Sequence, residues 1–297
     1  MEQHRFTVKD NGFAGIFYPG DRGTDTIVIF VGGAACTEKV SVKASTFLRE
    51  AGFSMLLLGF YTWKDTPKDL RRIPVDYVKI AVDYLNANYH PKKIYMTGAS
   101  TGAGYTLLAA SLIPEISGVA AIVPFDYVME ASSFTKRHGE SVYTWKGEDV
   151  PYSSNPIVDD GLFKIFGKCR KAGYPLRRLM RFGYDQAPLT EEGRIKTENI
   201  NGDILLIGAK DDDCWPSDIA VPRIEKNLKE HGFTHKVKAI VLDPASHALG
   251  GDYDKTGFMI NFLMRLMMQS EKTDRASCDK ARQICKDEMI KFFEGKI

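Results

Sequence analysis

Ser100 stands between two glycines at spacing two in "TGASTGAG" (97–104), and His231, His235 and His247 follow it in the last third of the chain. A hydroxyl is a poor nucleophile near neutral pH and needs an adjacent base, normally an imidazole that a carboxylate orients. The spacing therefore raises acyl transfer through a serine. The preceding run "KIYMT" is apolar and strand-like, and small and apolar residues follow at helical spacing, so the serine falls on a strand-turn-helix. Such a turn strains the nucleophile's backbone, and side chains at Gly98 or Gly102 would collide with the neighbouring strand and helix. Gly104 adds room for close packing. The competing reading is a helix entry built from small residues, or an anion site at a helix N-terminus.

The partners of a nucleophile should lie at strand ends in the order serine, acid, histidine. His247 sits in "VLDPASHALGG", just past the apolar run "VKAIVLD", and is the expected base. His231 and His235 precede that strand in "EHGFTHK" and read as solvated surface. The acid is expected after the preceding strand, where "ILLIGAKDDDCWPSD" offers Asp211, Asp212 and Asp213. Repulsion and desolvation argue that one of them faces inward while the others stay wet or cap the helix near Pro216. Spacing leaves Asp211 and Asp212 open. An oxyanion needs backbone donors. One is expected from Thr101, directly after the nucleophile, and one from Gly33 or Ala34 in "VIFVGGAACTEK", a stretch that otherwise reads as a plain glycine turn.

These residues must be carried by regular elements. Apolar runs at 26–31, 54–60, 93–98, 118–125, 203–208 and 237–243 read as buried strands of a parallel sheet. Helical stretches alternate with them. "VSVKASTFLREAG" ends on a glycine; "VDYVKIAVDYLNANY" places Val75, Val78, Ala81, Val82 and Leu85 on one stripe; "IAVPRIEKNLKEHG" does so with Ile219, Ile224 and Leu228. The class is α/β. At the front, two short strand-like pieces around Asn11-Gly12 predict an antiparallel hairpin. Residues 130–200 are rich in Ser, Gly, Tyr and Arg without a clear buried strand, and read as a lid within a single domain spanning 1–297. The Met-rich "GFMINFLMRLMMQS" reads as core, with an acyl tunnel or a homodimer face as alternatives. The tail "SCDKARQICKDEMIKFFEGK" is expected to pack on the sheet edge.

Forty basic against 38 acidic side chains leave a net charge of +2, which points to neither nucleic acid nor a membrane surface as partner. Five cysteines, without a CxxC pair or zinc spacing, imply a reducing compartment and no metal. Cys36 and Cys214 read as packing. The polar start, the absence of a long apolar run and a C-terminus that is not S-K-L make the cytoplasm the expectation.

Beyond the serine motif, "GFYTWKDTPKDL", "VDYVKIAVDYLN", "PFDYVMEA", "YTWKGEDVP", "DDDCWPSD" and "SHALGG" together resemble the catalytic α/β-hydrolase domain of the acyl-CoA thioesterase and bile acid-CoA:amino acid N-acyltransferase group. The likeness runs from about Asp25 to His247. In that group the catalytic Asp precedes the Trp by three, which implies Asp212 before Trp215 and supports Ser100 and His247. Larger members carry an N-terminal β-sandwich domain, against a hairpin-sized front end here. The amino-acid-conjugating branch looks to use cysteine, so Ser100 implies water as the acceptor. The resemblance thus implies a serine hydrolase on an acyl-CoA or related small-molecule acyl thioester, without cofactor. The alternatives are a carboxylesterase or dienelactone-hydrolase-like esterase, an N-acyltransferase, and a silent hydrolase-fold binding protein.

Overall fold

The computed structural model describes residues 3–34, 36–133, 136–155, 161–252 and 257–297. The chain opens with β1 (His4–Phe6), a single helical turn α1 (Val8–Asn11) and β2 (Ala14–Tyr18). β1 and β2 pair antiparallel as expected. The link between them is that helical turn, however, and not a two-residue hairpin turn. Thr7 accepts the Asp10 amide at its start, and Gly12 closes it at φ 77°.

Alternation follows: β3 (Thr26–Val31), α2 (Glu38–Ala44), α3 (Thr46–Glu50), β4 (Ser54–Gly59), the short β5 (Ile73–Pro74), α4 (Asp76–Tyr89), β6 (Lys93–Ala99), α5 (Thr101–Leu112) and β7 (Gly118–Ile122). The region expected to be a lid holds β8 (Glu130–Ser133), β9 (Lys136–Ser141), β10 (Tyr143–Trp145), β11 (Glu148–Asp149), α6 (Gly161–Lys171) and α7 (Leu179–Asp185). Last come β12 (Asp203–Ala209), α8 (Ser217–Glu230), β13 (Val237–Leu242), α9 (Phe258–Met267), α10 (Gln269–Thr273) and α11 (Arg275–Phe293).

Eight strands form one sheet in the order β1-β2-β4-β3-β6-β7-β12-β13. All pairs from β4 to β13 run parallel, and β2 joins β4 antiparallel. Alternating side chains split the core between the two faces. Ile27, Ile29 and Val31 join the α4 stripe and α5, whereas Val28 and Phe30 join α3 and the C-terminal helix. The α4 stripe predicted from spacing, Val75, Val78, Ala81, Val82 and Leu85, is fully buried.

Four expectations change. β13 is half-buried, because it is the sheet's last strand and only one neighbour covers its flank. Ile224 and Leu228 of the expected α8 stripe are buried, but Ile219 is 47% exposed, and Ala220 and Val221 take its place in the core. The tail helix α11 lies across a face of the sheet, not its edge: Cys285, Met289, Phe292 and Phe293 cluster with Met55, Tyr95 and Leu205 from three strands. In the Met-rich segment Phe258, Met259, Phe262, Leu266 and Met267 are exposed while Met268 packs on Ala248 and Cys214; the side chains of 260, 261 and 263–265 lie outside the described residues.

Candidate active site

β6 runs straight into Ser100, which adopts φ 59°, ψ −127° before α5 begins at Thr101. L-residues visit such a backbone rarely, and it turns the hydroxyl out at the strand's end. Gly98 and Gly102 make the turn sterically feasible. A Cβ on Gly98 would sit 2.3 Å from the Gly102 carbonyl oxygen and 2.6 Å from Val31 Cγ2; one on Gly102 would sit 2.2 Å from the Gly32 carbonyl oxygen. The collision with both strand and helix expected from the motif is thus explicit. Gly104 faces the Phe125 carbonyl at an ordinary 3.5 Å, so its packing is not tight.

His247 lies on the loop after β13. Its Nε2 is 2.8 Å from Ser100 Oγ, and its Nδ1 is 2.9 Å from both oxygens of Asp212. A carboxylate can only accept, so Nδ1 carries the hydrogen and Nε2 is left to accept from the serine hydroxyl. Asp212 is fully buried, while the His247 side chain is 11% exposed. The carboxylate is fixed on every side: Oδ1 accepts the Cys214 and Trp215 amides at 2.9 and 3.2 Å, and Oδ2 accepts the Ser217 hydroxyl at 2.6 Å. The Trp215 ring meets the imidazole edge-on with centroids 5.4 Å apart, and its indole N–H donates to Val123 O at 2.9 Å.

Of the three consecutive aspartates, two are buried, not one. Asp213 is 1% exposed and takes Arg178 Nε at 2.5 Å and the Gln269 amide at 2.7 Å. Spacing could not foresee this, because the compensating guanidinium comes from 35 residues upstream. Asp211 alone stays half-buried, and desolvation, helped by nearby Asp243, pushes its carboxyl up from the ordinary range. His231 and His235 are exposed, as expected of surface residues.

Gly33 packs against the nucleophile: a Cβ there would lie 3.2 Å from Ser100 Cβ and 3.2 Å from the Ala99 carbonyl oxygen. Ala34 is exposed, and its carbonyl accepts the Tyr61 hydroxyl. The Thr101 carbonyl accepts the Tyr143 hydroxyl at 3.1 Å, which ties β10 to the first turn of α5.

Cys214 Sγ lies close to this row; one ligand atom from each of Asp212, Cys214 and His247 falls within 4.8 Å of the others. The Asp212 oxygens and both imidazole nitrogens already have partners, however. Burial first, then Asp212 and Asp213, pushes the Cys214 thiol well above its usual range, so it stays a neutral packing group against Ala248 and Met268.

Several supporting residues carry no motif. Ser246 is buried and donates to Glu271 Oε1 at 2.5 Å; Arg282 bonds that same oxygen at 2.5 Å and the Ala248 carbonyl at 3.3 Å. This buried pair from α10 and α11 braces the loop on both sides of His247. On the other flank, Arg181 of α7 bonds the Asp212 carbonyl at 3.1 Å and pairs with Asp185 and Asp218, each at 2.9 Å. A heptad or strand pattern cannot reveal the Ser246–Glu271, Arg181–Asp212 and Ala248–Arg282 links, which join residues 25, 31 and 34 positions apart.

The parallel sheet, the strained serine after its central strand and the histidine after its last strand define an α/β-hydrolase. The chain belongs to the family described as BAAT / acyl-CoA thioester hydrolase C terminal, whose model matches residues 73–262. Among curated relatives, the mouse peroxisomal succinyl-coenzyme A thioesterase is 28% identical over 186 residues, covering 61% of this chain and 39% of that protein. Mouse mitochondrial acyl-coenzyme A thioesterase 2 is 26% identical over 231 residues, covering 75% and 44%. The chain thus spans less than half the length of either. A solved esterase of Pyrococcus furiosus superposes with a TM-score of 0.51 at 16% identity over 98% of this chain and 96% of that one, a likeness of fold. Among the described residues no helix is long and apolar enough to cross a membrane.

Proposed function

We propose that the chain is a serine hydrolase of acyl thioesters, acyl-CoA among them, working through an acyl-enzyme. One observation carries the reading: a single hydrogen-bonded row from Ser100 Oγ through both nitrogens of His247 to Asp212, at 2.8 and 2.9 Å. As Ser100 Oγ attacks the thioester carbonyl, His247 Nε2 takes its proton, and the buried Asp212 carboxylate stabilises the imidazolium and holds its orientation. The carbonyl oxygen becomes an oxyanion facing the Thr101 amide and the backbone around Gly33 and Ala34. Collapse breaks the C–S bond, and His247 returns the proton to the departing thiolate. Water then attacks the Ser100 ester with His247 again as base, which releases the acid. A serine ester suits water as final acceptor, and no cofactor takes part in these steps. The domain reading that goes with this is one hydrolase unit over residues 1–297, in which 130–200 covers the site: Val142, Tyr143 and Tyr184 from that stretch line a cavity beside Thr101.

Fluorophosphonate labelling tests the nucleophile. Wild type is expected to be labelled and Ser100→Ala not; labelling of Ser100→Ala at the wild-type rate would remove Ser100 from the mechanism. Acyl-CoA and p-nitrophenyl esters run side by side separate thioesterase from esterase. Turnover of oxyesters with none of thioesters would leave the hydrolase and reject the thioester assignment.

A further inference from the structure

A partly open pocket of about 60 Å³ lies against Thr101 and Gly104 in the first turn of α5, one residue on from Ser100. Phe125, Met129, Tyr184 and Trp215 form much of its wall. The coenzyme A part of a thioester is far too large for this space; of the two sides of the scissile bond, only the acyl side fits it. An apolar cavity of roughly 150 Å³ accepts a benzene ring, and less than half of that volume is present here.

The wall is not free to retreat. Phe125 stacks on Trp215 with centroids 6.1 Å apart, and Tyr184 stands perpendicular to Trp215 at 5.5 Å. The indole nitrogen is anchored on Val123 O, and Tyr143 is anchored on Thr101 O. Met129 is the unbranched, adaptable member of the set. Among the described residues no lysine or arginine lines the cavity. Two cations lie behind its wall: Arg181 bonds the Trp215 carbonyl at 3.4 Å and is paired with Asp185 and Asp218, each at 2.9 Å, and Arg223 stacks over Tyr127 at 5.0 Å with its charge taken by the buried Asp126 at 2.5 Å. A carboxylate on the acyl chain would therefore be buried without a partner, at a cost of several kcal/mol.

We infer that the cavity is the acyl subsite and that it selects short, uncharged acyl groups of about two to four carbons, with Met129 setting the length limit. The inference rests on the serine-hydrolase reading above.

The test measures kcat/KM of the whole chain for acetyl-, butyryl-, hexanoyl-, decanoyl- and succinyl-CoA and for the p-nitrophenyl esters of the same acids. Butyryl is expected to exceed decanoyl and succinyl by at least about tenfold, as one misfit methylene or one unpaired polar group can impose. Met129→Ala is expected to shrink the butyryl-to-decanoyl ratio by at least about threefold; Val142→Ala, on the same cavity, serves if the first variant does not fold. Decanoyl or succinyl processed as well as butyryl, or a ratio unmoved by a folded variant, would overturn the assignment. Inactivation rates with butyl and decyl fluorophosphonates read the same preference without turnover. Labelled Ser100 with a flat length profile rejects the subsite alone, whereas no labelling and no turnover with any ester rejects the hydrolase reading and the subsite with it.

Discussion

Ser100 holds a backbone conformation that costs on the order of 1–3 kcal/mol, and the contacts around it show what sustains that strain. Its amide donates to Ile122 O at 3.0 Å and its carbonyl accepts the Ala103 amide at 2.8 Å, so both peptide groups are committed. Gly102→Ala tests the turn directly. The added Cβ has backbone, not a movable side chain, 2.2 Å away at Gly32. Separating β3 from α5 displaces the hydroxyl from His247, and the fluorophosphonate rate is expected to fall about a hundredfold. Labelling within twofold of wild type would show that the close approach does not position the serine. At this scale much was readable: glycine spacing, strand ends and chain order brought out Ser100 and His247. Asp212 over Asp211 needed the family motif, and burial of Asp213 was not readable at all, since it depends on Arg178 arriving from another element.

The elements that carry the row are held by helices distant from it in sequence. Glu271 and Arg282, 1% and 4% exposed, link α10 and α11 to Ser246 and Ala248, the residues either side of His247. Glu271→Gln leaves the buried Arg282 guanidinium with the exposed Asp279 as counter-charge and is expected to cost about 3 kcal/mol, read as a lower denaturant midpoint at unchanged m-value. The double variant Glu271→Met with Arg282→Leu should recover most of that loss; if the single variant costs under about 1 kcal/mol, the pair does not brace the loop. Strands and the α4 stripe were legible because one face of a regular element repeats at a fixed period. The break of the predicted 40–52 helix into α2 and α3 at Ser45, and the exposure of Ile219 on α8, were not. Both depend on which neighbour each helix meets.

Across the whole molecule the sheet is covered on both faces, and α11 closes one of them. Phe292 is 1% exposed and stands 5.3 Å, ring to ring, from Tyr95 in the central β6. Phe292→Ala is expected to destabilise the protein by about 3–5 kcal/mol through lost burial and the cavity left behind; a thermal midpoint within a degree of wild type would show that α11 is not part of the core. Sequence alone determined the α/β class, the run of parallel strands, the serine turn and the two loops that face it, because each is written in local periodicity or in glycines that a tight turn requires. Tertiary structure decided the rest: α11 on a face and not an edge, Asp213 buried beside Asp212, the exposed apolar side chains of α9, and the size and neutrality of the cavity beside Thr101. Those properties arise where side chains far apart in the chain converge, and convergence leaves no period to read.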